Sequence, residues 1–306
     1  FEIQAVIQGT PADSGTRLTL GVIGPMEVDR QVLVFSDSVD FTRPVIRRVT
    51  PTGIDLFQDV AKLPEAEDDA TRLSRLRSFL KWLGHPDRLV SATVLEEFSA
   101  APYSLVRKLA PDLDAERLVE LLRTAETPTN QRGLLFLLYG TLGHEPASEQ
   151  LVAWLESEAE RSKPGLDGLI GAYLLVQGAE GLERVLELAP TGDDLSDLSH
   201  RRWYAKSLIS ALDFHARYED VIERERILAT LERLLEDPVV AGGGIGALNR
   251  LEAWDSLSRV RAAEQRWADQ RPSIGRAAQA FYEACPLPEA ENHLPPDPDT
   301  GQARTH

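Results

Sequence analysis

The pattern in this sequence that most suggests chemistry is a run of glycines. Gly242-x-Gly244-x-x-Ala247 follows a short apolar stretch, and this is the bare pattern of a dinucleotide-binding loop. Such a loop needs a strand before it, a helix after it, and a second parallel strand with an acidic residue at its end. Here an amphipathic helical pattern ending at Asp237-Pro238 comes before the glycines, and no second strand is predicted after them. We therefore predict a flexible loop between two helices and no nucleotide site.

Histidine and cysteine provide the next candidates, for metal binding or acid–base catalysis. The six histidines are His85, His144, His200, His215, His293 and His306. None has a second His or Cys at zinc-ligand spacing, and His144-Glu145 lacks the second histidine of the metalloprotease helix motif. The single cysteine, Cys285, excludes an internal disulfide and a Cys-based metal cage. We predict capping or solvated roles for the histidines, and a small buried side chain at a helix end for Cys285.

The remaining reactive patterns are also incomplete. No Gly-x-Ser-x-Gly nucleophile elbow is present. Acidic runs at 65–69 and 193–197, with Glu289 and Glu291 near the end, lack the Asp-x-Asp-x-Asp-Gly spacing of a calcium loop. We read them as solvated charge. The sequence thus predicts no catalytic, cofactor-binding or metal-binding residues and no cofactor, and favours a protein that is not an enzyme.

Composition narrows the choice of partner. The 49 acidic and 33 basic residues give a net charge of −16, a field that repels nucleic acids and anionic membranes. The longest Gly-free apolar run, 134–139, is far shorter than the ~18 residues of a membrane helix. We therefore predict a protein partner, alone or in a larger complex, with no nucleic acid and no membrane span in these residues. The five tryptophans should lie mostly in the core, and an exposed one would mark an interface. They are Trp82, Trp154, Trp203, Trp254 and Trp267.

The elements that must position these residues differ between the start of the chain and the rest. Runs of largely alternating polarity at 1–8, 16–22, 30–35 and 44–49 have the period of half-buried strands. They are separated by turn clusters rich in Gly, Pro and Asp. We predict a small antiparallel sheet or partial barrel that packs on the first helices, because such a sheet is marginal alone.

The stretch from 67 to 290 reads as short amphipathic helices between breakers. One face collects Leu73, Leu76, Phe79, Leu80 and Leu83, and Asp114 is a capping residue at the start of another helix. Further helices are predicted over 89–98 and 133–142, and from near residues 148, 166, 179, 200, 220, 244 and 273. We predict a mainly α fold, a HEAT-like α-solenoid preceded by a small antiparallel β element. The predicted domains are a β-rich segment 1–63, a helical domain 64–290, and an extended or disordered tail 291–306.

Several of these helical stretches together resemble a known group. They are Leu83-Gly84-His85-Pro86-Asp87 and residues 97–103, 109–114, 132–143, 165–169 and 285–290. The set is similar to exported, uncharacterised proteins of planctomycete-type bacteria. The resemblance implies a β domain before a HEAT-like region and a secretory leader, and it implies no activity and no catalytic residues. The present chain departs from the group in its very short N-terminal sheet region.

The predicted function follows from these absences and from the architecture. Phe1 lies in a strand-like run, so we predict a removed signal peptide and an extracytoplasmic location, in the periplasm or cell envelope. The leading hypothesis is a non-enzymatic interaction or scaffold subunit of an extracytoplasmic bacterial assembly. One alternative is an accessory subunit of a membrane-bound electron-transfer or surface complex. The other is an enzyme or ligand-binding protein whose site forms from dispersed residues, for instance around 242–246.

Overall fold

A computed structural model describes residues 32–35, 45–65, 67–191 and 195–291, with the side chains of 195–197 and 291 left out. The chain forms two compact units, Phe1–Leu135 and Phe136–His306. Helices make up most of the described part of both units, and a small antiparallel sheet lies near the start. The predicted mainly α fold with a small β element is therefore confirmed. The predicted division into 1–63, 64–290 and 291–306 stays a prediction.

The described sheet consists of two strands, β1 (Val32–Phe35) and β2 (Val45–Arg48). They pair antiparallel, with Val32 opposite Arg48 and Phe35 opposite Val45. This confirms strands in the runs 30–35 and 44–49, whereas the predicted strands at 1–8 and 16–22 lie outside the described residues. Two strands alone are only marginally stable in water. The sheet also contacts the first helix, where the ring of Phe35 lies edge-on to that of Phe57 with the ring centroids 6.2 Å apart.

Most of the helices are short and separated by turns, as the breakers predict, and α11 is the long exception among the described helices. In the first unit they are α1 (Pro51–Val60), α2 (Asp69–Phe79), α3 (Arg88–Ala100), α4 (Tyr103–Arg107) and α5 (Ala115–Arg123). The boundary between the two units falls inside α6 (Arg132–Gly140). The second unit continues with α7 (Glu145–Glu156), α8 (Glu158–Arg161), α9 (Leu166–Gln177), α10 (Gly181–Glu187), α11 (Leu195–Tyr218), α12 (Arg224–Leu234), α13 (Ala241–Arg250), α14 (Leu257–Trp267), α15 (Pro272–Ala284) and α16 (Pro288–Glu291).

Local sequence explains where several helices begin. The Asp114 carboxylate accepts a hydrogen bond of 3.1 Å from the backbone N–H of Arg117, so the predicted cap of α5 is confirmed. Helix α1 lies where the sequence predicts only the β-rich segment, although it has a helix-start signal. The Thr50 side chain accepts from the Gly53 N–H at 3.1 Å, and Pro51 fills the first helical position.

The core of the first unit uses the apolar face that the sequence predicts. Leu76, Phe79 and Leu83 are buried, and Val90 and Val94 of α3 are fully buried. Leu73 and Leu80, the other two members of the predicted face, are partly exposed. Burial of each large aliphatic or aromatic side chain contributes about 1.5–3 kcal/mol, so this face accounts for the placement of α2.

In the second unit, alternate helices contact one another in succession. Helix α7 packs on α9, α9 on α11, α11 on α13, and α13 on α15. Helix α12 packs on α13, and α14 packs on α15. Stacked helical hairpins produce this pattern, although the HEAT-like repeat itself stays a prediction.

Candidate functional site

The glycine run does not form the predicted loop. Gly242, Gly243 and Gly244 lie in the first turns of helix α13, so the prediction of a flexible connection is wrong. Asp237 accepts hydrogen bonds from backbone N–H groups at the start of this helix. Its side chain accepts from the Val239 N–H at 2.8 Å, and its backbone carbonyl accepts from the N–H groups of Val240 at 3.1 Å and Ala241 at 2.8 Å. Helix α12 comes before the run, and no strand follows it in the described part of the chain.

Close packing explains why glycine is present in α13. A Cβ atom placed on Gly244 would lie 3.0 Å from Leu235 Cδ2 and 3.3 Å from the carbonyl oxygen of Leu231. A Cβ atom on Gly243 would lie 3.0 Å from Ile209 Cδ1 of α11. Glycine therefore lets the backbones of neighbouring helices approach. The motif has a packing role at these positions, and it lacks the strand–turn–helix context of a phosphate loop.

Two of the described histidines accept hydrogen bonds from backbone N–H groups. His144 is the N-cap of α7, where its Nδ1 accepts from the Ala147 N–H at 3.2 Å. His85 Nδ1 accepts from the Asp87 N–H at 3.2 Å, and its ring packs edge-on to Trp82 at 5.7 Å. Both use a ring nitrogen as an acceptor, which is a capping role of the kind predicted.

Of the other four histidines, one is exposed to solvent, one is in the core, and two lie outside the described residues. His200 is exposed on α11 and forms no hydrogen bond with a described residue. His215, on the same helix, is fully buried, and its Nε2 lies 3.0 Å from the Gly171 carbonyl oxygen. A solvated or capping role does not describe His215. His293 and His306 lie outside the described residues.

The stretch Leu83-Gly84-His85-Pro86-Asp87 forms the turn that leads into α3. A buried glutamine holds this turn from one side. The Gln131 side chain accepts from the Gly84 N–H at 2.7 Å and donates to the Ser91 carbonyl at 3.1 Å. Because the oxygen and the nitrogen of this fully buried amide group each have a partner at hydrogen-bond distance, Gln131 fixes the turn.

Asp87 holds the same turn from the other side. Its Oδ1 accepts from the Leu89 N–H at 2.8 Å as the N-cap of α3, and its Oδ2 accepts from the Thr50 N–H at 2.6 Å. Burial raises the pKa of the Asp87 carboxyl, but hydrogen bonds from Thr50, Val90 and Leu89 outweigh it and bring the pKa below its ordinary value. One carboxylate therefore joins the starts of α1 and α3, a structural role.

No metal centre forms among the described residues. Within 32–35, 45–65, 67–191 and 195–291, no group of three His, Cys, Asp or Glu side chains is arranged to hold an ion. The acidic run at 65–69 works as a helix start: Asp68 and Thr71 form a reciprocal capping box at α2. The run at 193–197 lies largely outside what the structure describes. Cys285 is a buried free thiol directly after α15, as predicted.

The tryptophans are less buried than predicted. Trp154 is in the core of the second unit, with ring contacts to Phe136 at 5.4 Å and Tyr139 at 5.5 Å. The half-buried tryptophans are Trp82, Trp254 and Trp267. Trp203 keeps 38% of its surface exposed. Only Trp203 therefore meets the condition set from the sequence for an interface residue.

Trp203 lies on an exposed, cationic stretch of α11. Arg202 and Lys206 are exposed beside it, and neither forms an ion pair with a described residue. Positions three and four apart share one face of a helix, so Lys206 lies next to both Arg202 and Trp203. Residues 198–212 contain no Asp or Glu. We call Arg202, Trp203 and Lys206 the α11 patch; its local charge is opposite to that of the chain as a whole.

The opposite side of the same helix segment is fixed. Tyr204 is buried, and its hydroxyl donates to the Val185 carbonyl at 2.6 Å. Arg201 pairs with Asp237 at 2.5 Å. The α11 patch is therefore held on a rigid element, which reduces the entropy cost of binding.

Comparisons with known proteins add no assignment. No family model matches the chain, no curated protein is similar to it, and no solved structure matches its fold. Among the helices that the structure describes, none is long and apolar enough to cross a bilayer.

Proposed function

We propose that this chain is a non-enzymatic protein-interaction or scaffold subunit of an extracytoplasmic bacterial assembly, built on HEAT-like stacked helices. The observation that carries the proposal is the α11 patch. A tryptophan with 38% exposure lies between two cations that form no ion pair with a described residue, on a helix whose other face is buried. Trp and Arg are over-represented among the residues that dominate binding energy at protein interfaces.

The arrangement of helices supports the same proposal. Alternate helices in the second unit stack in succession, and such arrays present one face of each helix to partners. The extracytoplasmic location in this proposal rests on the resemblance of residues 83–87, 97–103, 109–114, 132–143, 165–169 and 285–290 to exported proteins.

The residue types of the α11 patch determine how much partner affinity a mutation should remove. Truncation of a tryptophan that anchors an interface costs about 2 kcal/mol or more, which is roughly a thirtyfold loss of affinity. The cations act mainly on the association rate, so binding should weaken as ionic strength rises.

The test compares three tagged forms recovered from the source organism after mild cross-linking. These are the wild type, a triple variant of the α11 patch (Arg202→Glu, Trp203→Ala, Lys206→Glu), and Lys108→Glu as a surface-charge control. Lys108 is exposed and lies in the other unit. We expect a stoichiometric partner with the wild type and the control, and its loss from the triple variant at unchanged thermal stability. A monomeric wild type that carries a bound nucleotide or metal would overturn the proposal, and a partner retained by the triple variant would exclude the α11 patch.

A further inference from the structure

One buried ionisable group in the second unit has no role in the proposed interaction. His215 of α11 is fully buried, and its Nε2 lies 3.0 Å from the carbonyl oxygen of Gly171 in α9. A carbonyl oxygen can only accept, so Nε2 carries the proton and Nδ1 is the acceptor nitrogen. Nδ1 is buried and has no hydrogen-bond partner in the part of the chain that the structure describes. The ring is thus neutral, with a lone pair that faces no donor.

Among the described contacts, the helices packed on α11 at this point bring no counter-charge to the ring. The Phe214 ring lies edge-on to it at 5.3 Å. The ionisable residues of the packed helices, and of the same part of α11, form no hydrogen bond or ion pair with the ring among the described contacts. They are Asp167 and Tyr173 of α9, Arg250 of α13, Arg224, Glu225, Arg226, Glu232 and Arg233 of α12, and Asp213, Arg217 and Glu219 on or just after α11.

Several of these charged side chains, on α11, α12 and α13, have partners away from the ring. Asp213 pairs with Arg217 at 3.1 Å and with Arg250 at 3.6 Å, on the exposed side of the two helices. Arg224 donates to the carbonyl of Leu251, just after α13. A positive charge on His215 would therefore be buried with no carboxylate partner among the described contacts.

We propose that the contact between His215 and Gly171 makes the α9–α11 junction acid-sensitive: a proton taken up at Nδ1 opens this junction. An unpaired buried charge costs several kcal/mol, which a packed core relieves by letting the group reach water. The face of α9 around Gly171 is apolar: Leu174, three positions on and on the same side of the helix, is fully buried, and so is the neighbouring Ile170. Acidification would thus expose a hydrophobic surface on the second unit.

The sign of the pH dependence follows from the difference in proton binding between the closed and opened states. Burial lowers the pKa of His215 below its ordinary value, although the hydrogen bond to Gly171 opposes the shift. The opened state, with an ordinary histidine pKa of about 6.5, binds the proton more readily than the closed state. The contribution of His215 to stability is therefore complete above the opened-state pKa of about 6.5, and it is lost as the pH falls below that pKa. One proton changes the opening equilibrium by at most about tenfold per pH unit, until the lowered native pKa is reached.

The test compares the wild type, His215→Gln and His200→Gln. Glutamine retains an amide N–H that can donate to the Gly171 carbonyl but does not titrate. His200 is the matched control, exposed on the same helix. Urea unfolding and amide hydrogen exchange are measured from about pH 7.5 to about pH 5, the range in which an ordinary histidine titrates. We expect the wild type and His200→Gln to lose stability alike on acidification. His215→Gln should lose less, by up to about tenfold in the unfolding constant per pH unit, and faster exchange in acid should be confined to α9 and α11.

Equal pH dependence in the wild type and His215→Gln would overturn the proposal. Should His215→Gln not fold, the imidazole signal of His215 is followed by NMR in the wild type. A ring that titrates in the folded state near its ordinary value, about 6.5, refutes the mechanism, and a ring that stays neutral until the junction opens supports it. Neither measurement depends on the α11 patch, so this inference can fail independently of the proposed function.

Discussion

Two alanine substitutions in α13 should change stability in opposite directions. A Cβ atom on Gly244 would lie 3.0 Å from Leu235 Cδ2, 3.3 Å from the Leu231 carbonyl oxygen and 3.5 Å from Leu234 Cβ. The leucine tip can turn away, but the backbone carbonyl and the Cβ atom move only with helix α12. A Cβ atom on Gly246 would meet only Arg250 Nη1, at 3.6 Å, which is ordinary contact with an exposed, flexible side chain.

The magnitudes follow from two opposing effects. Alanine in place of glycine within a helix gains about 0.5–1 kcal/mol of backbone entropy. Overpacking of a tight interior costs about 1–3 kcal/mol. Gly246→Ala receives only the gain, so we expect its unfolding free energy to rise by about 0.5–1 kcal/mol. For Gly244→Ala the steric cost dominates, so we expect a net loss of about 0.5–2 kcal/mol.

The two variants are compared with the wild type by scanning calorimetry and urea unfolding under one buffer condition. Since 1 kcal/mol corresponds to about 2–4 °C in a unit of this size, the two melting temperatures should differ by several degrees in opposite senses. If both substitutions stabilise the protein, Gly244 is not a packing contact, and the packing role assigned to the glycine run is wrong. A Gly244→Ser variant separates volume from propensity, because serine adds bulk with little gain in helix propensity.

Three other perturbations test the structure in different places. Gly140→Ala would put a Cβ atom 2.8 Å from Ala172 Cβ and 2.9 Å from its Cα, so thermal unfolding should show a loss of about 1–3 kcal/mol. Glu252 has φ 53° just after α13, a left-handed conformation that suits glycine. Glu252→Gly should therefore raise the unfolding free energy by about 0.5–1 kcal/mol, and a loss of stability would contradict this. The lowered pKa of Asp87 stabilises the fold above the unfolded value of about 3.9, and this contribution is lost as the pH falls through the folded pKa. In urea titrations, Asp87→Asn should be less stable near neutral pH by about 1–2 kcal/mol and should lack this acid-dependent step, whereas retention of the step would refute the role assigned to Asp87.

Sequence patterns are sufficient where local physics decides the structure. The cap at Asp114 and the strands at 30–35 and 44–49 depend on neighbouring residues and on a period of two, and both are seen. Helix α1 has an equally local signal in Thr50-Pro51, but the strand-like runs before it favour a β-rich assignment through residue 63. The signal that starts α1 is therefore present in the sequence, as the capping residue Thr50 followed by Pro51.

The glycine run shows where local signals fail. Three consecutive glycines have the lowest helix propensity of any non-proline run, so a loop is the natural prediction. Tertiary packing reverses that preference, because α13 contacts α11, α12 and α15, and two of its glycines allow that approach. The sequence does not show which helices will meet, so it cannot show that glycine is needed there. Intrinsic propensity is worth about 1 kcal/mol per residue, less than burial of a single leucine.

The sequence predicts the composition of the α11 patch but not its exposure, for a related reason. The sequence shows Trp203 between cations and a carboxylate-free stretch over 198–212, but exposure depends on which face of α11 is buried against α9 and α13. His215 and Trp203 lie on the same helix, twelve positions apart in the sequence, and periodicity alone does not assign one to the core and the other to solvent. Their placement instead follows from packing, which buries an imidazole beside the Gly171 carbonyl and leaves an indole outside. The neighbours of a long helix, and not its own sequence period, therefore decide which of its side chains solvent can reach.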